Sequence, residues 1–109
     1  MATVYKVLGQ VNPAATTATT LYTVPSATNT VVSTIVICNQ AASTATFRIA
    51  VRPAGATLAA IHYVAYDVTV GASDSTALTL GLTLAATDVV TVYGSTATLS
   101  FNAYGSEVA

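Results

Sequence analysis

Two apolar, β-branched runs near the middle of the chain constrain its fold more than any other stretch. They cover Val31–Cys38 and Thr46–Val51, and the short polar segment Asn39–Thr44 connects them. The second run alternates between apolar and more polar residues, which is the period of a strand with one buried and one exposed face. The pattern predicts a β-hairpin over Thr30–Pro53. The nearly continuous apolar run Val31–Cys38 further predicts a central strand buried on both faces, or a strand at a subunit contact.

Similar short runs, bounded by turn residues, recur at intervals of roughly ten residues along the chain. They predict strands at residues 3–11, 20–24, 61–70, 76–84, 89–93 and 97–104. Residues 57–70 also carry apolar side chains at helical spacing, but their β-branched residues and two tyrosines favour a strand with a bend or bulge near Ala65.

The expected fold class is therefore all-β, a single β-sandwich of about eight short strands, either jelly-roll-like or immunoglobulin-like. We assign residues 12–109 to the sandwich and residues 1–11 to an N-terminal strand or arm. Lys6 interrupts the apolar side of this first strand, as charged residues do at sheet edges.

The composition indicates a surface with few charges. Only 6% of the residues are charged and 53% are hydrophobic, whereas ordinary soluble domains carry about 25% charged residues. The surface must therefore consist largely of Thr, Ser and Ala, and large patches of that kind are commonly covered by partners. Three basic residues are too few for nucleic-acid binding. No apolar run approaches the roughly 20 residues that a membrane-spanning helix needs, so we expect neither nucleic acid nor membrane as a partner.

The residues that usually carry chemistry are scarce and scattered. His62 is the single histidine, so no histidine-based metal cluster is expected. Cys38 is the single cysteine and is expected to be a small buried apolar residue, without an internal disulfide. Asp67 interrupts an apolar strand and is predicted to pair with Arg48 or Arg52. No nucleophile or phosphate-binding motif is present, so we expect a non-enzymatic protein without cofactor or metal.

The tyrosines are better candidates for a functional role, because tyrosine offers a large contact area with a polar tip. The chain has six, at positions 5, 22, 63, 66, 93 and 104. We expect contacts to involve the N-terminal arm Ala2–Val11 and the loops that carry tyrosines. The predicted interface residues are Val4, Tyr5, Lys6, Val7, Tyr22, Tyr63 and Tyr66.

The order of several segments resembles that of a family of small virion structural proteins of tailed phages, cyanophages among them. The segments are LYTVP (21–25), VVSTIVICNQ (31–40), FRIAVRPAGATL (47–58), HYVAYDVTV (62–70), LTLGLTLAATDVVTVY (78–93) and FNAYGSE (101–107). The resemblance covers nearly the whole chain and consists of strands and turns rather than active-site residues. It implies a β-sandwich subunit that is present in many copies in a particle.

Within that family, the expected role is a capsid decoration or cement protein that stabilises the assembled head. Its partners would be the major capsid protein or other virion proteins, and it would form a symmetric homo-oligomer, with a trimer favoured. The N-terminal residues MATVYKVLGQ show no signal-peptide pattern, so the expected location is a virion assembled in the host cytoplasm. A tail, neck or fibre-associated virion module is the first alternative, and a host-surface glycan-binding module is the second.

Overall fold

The computed structural model of the protein describes residues 2–109. Two antiparallel sheets pack face to face, which confirms the predicted all-β sandwich. The strands are β1 (Thr3–Val11), β2 (Thr19–Thr23), β3 (Asn29–Asn39), β4 (Ala45–Arg52), β5 (Tyr63–Val70), β6 (Ser75–Leu78), β7 (Leu82–Leu84), β8 (Val89–Gly94) and β9 (Leu99–Val108). Two short 3₁₀ turns, Pro53–Gly55 and Ala60–His62, lie between β4 and β5.

The strand order identifies the type of sandwich. Sheet A has the order β1-β9-β3-β6, with β7 also paired to β3, and sheet B has the order β2-β8-β4-β5. Most successive strands therefore pass from one sheet to the other. When β6 and β7 are counted as one interrupted strand, this order is the jelly-roll arrangement of two four-stranded sheets. Of the two expected topologies, the chain therefore adopts the jelly roll.

The hairpin predicted over Thr30–Pro53 is wrong, although both of its strands are present. β3 lies in sheet A and β4 in sheet B, so residues 40–44 cross the sandwich instead of turning back within one sheet. The buried side chain of Asn39 anchors this crossing, because its Nδ2 donates to the carbonyl oxygens of Ser43 at 2.8 Å and Gly71 at 3.1 Å. The consecutive strands that do pair are β4 and β5, across residues 53–62.

Strand β3 is central in its sheet, as predicted, but only one of its faces is buried. Val32, Ile35 and Ile37 point into the core. The opposite face carries Val31, which is 38% exposed, and Cys38, which is partly exposed rather than buried as predicted. The prediction that both faces of this strand are buried within the chain is therefore wrong. A subunit contact on the outer face stays a prediction.

The bend or bulge predicted near Ala65 is confirmed, because the register between β4 and β5 is irregular on both sides of the pair of Ile49 and Ala65, and φ of Asp67 is 51°. The single strand expected over residues 76–84 is divided into β6 and β7, since Gly81 has a φ of 63° that other residues adopt only with strain.

The core lies between the sheets and is built from both. Phe47 of sheet B meets Phe101 of sheet A edge to face, with ring centroids 6.1 Å apart and an interplanar angle of 76°. Both rings are fully buried, and truncation of such a ring to alanine typically costs about 3–5 kcal/mol. Because this core fixes the two sheets to one another, each sheet presents a firm outer face to its surroundings.

Candidate interface surfaces

The outer face of sheet A carries aromatic and aliphatic side chains in two adjacent rows. In the first row Tyr5 of β1 and Val31 of β3 flank Ser106 of β9, and in the second Val7 lies beside Tyr104. Tyr5 is 83% exposed and Val7 is 47% exposed, whereas Val31 and Tyr104 are each a little over one-third exposed. We call Tyr5, Val7, Val31 and Tyr104 the sheet A patch.

A shallow depression of about 570 Å³ runs through the sheet A patch, with Ser33 and Ser106 contributing hydroxyl groups to its lining. Lys6 is the only charged residue in that lining. Its ammonium group is held by the Oε1 atom of Glu107 at a distance of 3.0 Å. The patch is therefore apolar and bordered by neutral hydroxyls, a composition typical of surfaces that are covered by protein partners.

Tyr22 lies in the core, which corrects the prediction that it lies at an interface. It is only 7% exposed. Its hydroxyl donates to Oε2 of Glu107 at 2.5 Å and lies 2.8 Å from the hydroxyl of Thr30. Tyr22 thus ties sheet B to β3 and β9 of sheet A. Lys6 of β1 also bonds to Glu107, so Tyr22, Thr30, Glu107 and Lys6 form a junction between the two sheets. Val4 lies on the same face of β1 as Lys6 and remains exposed.

This junction changes the acidity of two of its members. Burial, together with the hydrogen bond to Glu107, raises the pKa of Tyr22 to about 12. The hydrogen bonds from Tyr22 and then Lys6 lower the pKa of Glu107 below its ordinary value. Both shifts indicate a Tyr22 phenol that keeps its proton and a Glu107 carboxylate that keeps its charge, which is the arrangement of a structural tie.

The outer face of sheet B is organised around Arg48. Its Nε donates to Oδ1 of Asp67 at 2.7 Å, which confirms the prediction that Asp67 pairs with one of the arginines. The guanidinium carbon also lies 4.2 Å from the ring centroid of Tyr66 and 4.3 Å from that of Tyr93. The hydrogen bond to Asp67 raises the pKa of Arg48. We call Arg48, Asp67, Tyr66 and Tyr93 the Arg48 cluster.

A second depression lies beside the Arg48 cluster. Its volume is about 420 Å³, and residues 58–60 line it together with Tyr63 and Tyr66. The two tyrosine rings meet edge to face with centroids 5.0 Å apart. Tyr66 is 56% exposed, but Arg48 lies over its ring. The depression therefore offers an apolar wall and tyrosine edges rather than a free, flat aromatic surface.

The predicted interface residues therefore divide into three groups. Val4, Tyr5, Lys6 and Val7 lie on β1 at sheet A, Tyr63 and Tyr66 lie on sheet B, and Tyr22 lies in the core. The tyrosines all lie in strands, so the prediction that loops carry them is wrong.

Two members of the sheet A patch, Val31 and Tyr104, were not among the predicted interface residues, although Val31 belongs to the run for which a subunit contact was one of two predicted alternatives. The alternation of the last strand could have indicated Tyr104, because Tyr104 lies on the same face of that strand as Asn102, and Phe101 lies on the other face. Val31 could not be singled out, because it belongs to a run that is apolar at nearly every position.

The described part of the chain, residues 2–109, shows no cluster of three or more His, Cys, Asp or Glu side chains placed to hold a metal ion. None of its helical turns is long and apolar enough to cross a membrane. No protein-family model and no curated protein matches the sequence. The outer faces of the two sheets and the sheet edges are therefore the candidate functional surfaces.

Proposed function

We propose that this protein is a non-enzymatic structural subunit of a phage virion that decorates and stabilises the assembled head as a cement protein. The observation that carries the proposal is the sheet A patch, an uncharged group of exposed tyrosine and valine side chains on one flat face. Aromatic residues are enriched and charged residues are depleted at the centres of protein interfaces. The patch has that composition on a rigid sheet.

Two further considerations support this role. Jelly-roll domains are common in viral capsid proteins as well as in lectins, although a fold alone does not determine function. The segment order that resembles small tailed-phage virion proteins points in the same direction. The partners are then the major capsid protein or other virion proteins, and the protein acts as a homo-oligomer in a virion assembled in the host cytoplasm.

The proposed mechanism is stabilisation by binding. A subunit that binds only the assembled shell shifts the equilibrium towards that shell in proportion to its occupancy. Neighbouring capsid subunits would cover the sheet A patch, and burial of apolar surface contributes about 25 cal/mol per Å² before the costs of association. Many weak contacts on a symmetric shell would together resist internal pressure.

The copy number per particle tests this role. Purified virions and tailless heads are compared by quantitative mass spectrometry, with the major capsid protein as internal standard. A cement protein saturates at a fixed ratio to the capsid protein, on the order of hundreds of copies, and stays on tailless heads. About a dozen copies or fewer, lost together with the tails, would contradict the head role and support the tail, neck or fibre alternative.

A glycan-binding role is the second candidate, and the depression beside Tyr63 and Tyr66 is the observation that favours it. Sugars stack on exposed aromatic rings, but here Arg48 already lies over the Tyr66 ring. A glycan binder would raise its melting temperature when sugar is added and lose that response in Tyr66→Ala. A cement protein would show no such response and would still bind heads after the same substitution.

A further inference from the structure

The edges of the two sheets differ in how they are protected. An open edge presents unpaired N–H and C=O groups to which another strand can add, and proteins usually block edges with bulges, breaks or short strands. Three edges here are blocked in this way. β5 is bulged at Asp67, β2 is short with an irregular register at Leu21, and the β6/β7 edge is broken at Gly81.

The first half of β1 forms the fourth edge and lacks such protection. The second half of the strand is covered, because the backbone of Leu21 lies so close to Gly9 that a Cβ atom there would collide with the Leu21 carbonyl oxygen. Register irregularity begins only after Val7. Thr3–Val7 is therefore a regular and open stretch of edge.

The hydrogen-bond pattern shows which backbone groups of this stretch are free. Ala2 and Ala109 exchange both backbone hydrogen bonds, each at 3.0 Å. In an antiparallel ladder the bonded positions alternate, so Val4 and Lys6 bond to β9. Thr3, Tyr5 and Val7, the members of the other set, direct their N–H and C=O groups away from the sheet.

The side chains of this edge also fail to protect it. Val4 and Tyr5 lie on opposite faces of β1, and both are more than half exposed. A charged residue at an edge commonly deters pairing, but the charge of Lys6 is neutralised by Glu107 of the same chain. The result is an open edge that is apolar on both faces and locally neutral.

We propose that Thr3–Val7 of two copies of the protein pair antiparallel about a two-fold axis, so that the two A sheets join into one continuous sheet. A strand can pair with its own copy in this way because the axis exchanges identical donors and acceptors. A neutral, apolar edge requires a neutral, apolar partner, and the same stretch of a second copy supplies one. This inference depends on the geometry of the edge and not on the virion role.

Charge limits the possible registers. A pairing centred on Lys6 would place two like charges opposite one another, which is unfavourable. A pairing centred on Tyr5 places Lys6 opposite Val4, and it alone matches the whole stretch Thr3–Val7 of one copy with the same stretch of the other. In this register the outer faces of the two A sheets lie on the same side, so the two sheet A patches become one larger apolar surface.

Sedimentation equilibrium of the full chain over a micromolar concentration range tests the pairing. The wild-type protein is expected to be a dimer that dissociates on dilution. Tyr5→Pro removes an outward N–H and leaves the bonds between β1 and β9 in place, and edge strands tolerate proline at such positions. It is expected to raise the dimer dissociation constant by about tenfold or more, since hydrogen bonds are lost and a ring is inserted at the axis.

Val7→Lys provides an independent test that does not alter the backbone, and it is expected to dissociate the dimer as well. Val64→Lys is its matched control, because Val64 is 44% exposed and lies on the blocked edge strand β5, against 47% for Val7. The control is expected to remain a dimer. Circular dichroism and melting temperature establish that each variant is folded, and Val7→Lys decides the outcome if Tyr5→Pro unfolds.

Disulfide trapping identifies the register. In a Cys38→Ala background, Tyr5→Cys is expected to form an oxidised dimer, because residues paired directly on the axis have Cα atoms roughly 5.5 Å apart. Val7→Cys, which lies opposite Thr3 of the second copy, and Val64→Cys are expected to form no disulfide. A wild-type protein that stays monomeric, a trimer, or a dimer that persists in both Tyr5→Pro and Val7→Lys would overturn the proposal.

Discussion

The two outer faces of the sandwich use tyrosine in different ways. On sheet B, Tyr66 and Tyr93 enclose the guanidinium group of Arg48, which also bonds to Asp67. On sheet A, Tyr5 and Tyr104 lie among valines and serines, and the charged residue of that lining, Lys6, is paired with Glu107 rather than with the tyrosine rings. The comparison indicates that the sheet B tyrosines contribute to the stability of the chain itself. Those of sheet A are left available for contact with another molecule.

The largest expected effect is on binding to heads, and it should differ between substitutions on the two faces. Val31→Lys places a charge in the sheet A patch and is expected to weaken binding to decoration-free heads by ~2 kcal/mol, about 30-fold, because the charge must be desolvated. Its matched control is Thr69→Lys, an exposed position on the strand of sheet B that carries Asp67. Co-sedimentation measures both. Equal loss of binding in the two variants would remove the distinction between the faces.

A smaller effect is expected on the stability of the folded chain, and here the substitutions that matter lie on sheet B. Arg48→Ala removes the ion pair and both ring contacts and is expected to lower the melting temperature without weakening head binding. Arg48→Lys is expected to be intermediate, since an ammonium group keeps the charge but cannot lie flat against two rings. Asp67→Arg is expected to destabilise the fold by repulsion. An Arg48→Ala variant as stable as the wild type would show that the cluster contributes nothing.

The smallest expected effect concerns the junction beneath the sheet A patch. The folded protein lowers the pKa of Glu107 below its ordinary value of 4.5, so the stability that Glu107 contributes is present above that pH and is lost as the pH falls through the lowered value. The free energy of unfolding is expected to fall by about 1 kcal/mol between roughly pH 5 and pH 3. Glu107→Gln is expected to show a shallower decrease. Parallel curves in chemical denaturation would contradict the role of this carboxylate.

Much of the fold follows from the sequence, because alternation of apolar and polar residues identifies single strands. The positions of β1, β2 and β8 agree with the prediction within one residue at each end. Strand pairing is less accessible, since a polar segment such as Asn39–Thr44 looks the same whether it turns within a sheet or crosses between two. The jelly roll uses crossings at most connections, and this explains the error over Thr30–Pro53.

The candidate surfaces were harder to predict for a related reason. Tyr5 and Tyr22 both lie in β-strands with similar neighbours, yet one is the most exposed tyrosine of the patch and the other is buried. What separates them is whether the opposite sheet covers the strand at that point, and this depends on the packing of the whole chain. The Arg48–Asp67 pair was predictable because a lone carboxylate in an apolar strand requires a nearby partner.

Hydroxyl-radical footprinting of assembled heads tests most directly whether the sheet A patch is the contact surface. Tyr104 is the best reporter for sheet A because its strand lies inside the sheet, away from the open edge of β1, and Tyr66 is the reporter for sheet B. We expect oxidation of Tyr104 to fall strongly on heads relative to the free protein, while oxidation of Tyr66 stays unchanged. Protection of Tyr66 with continued oxidation of Tyr104 would contradict the account.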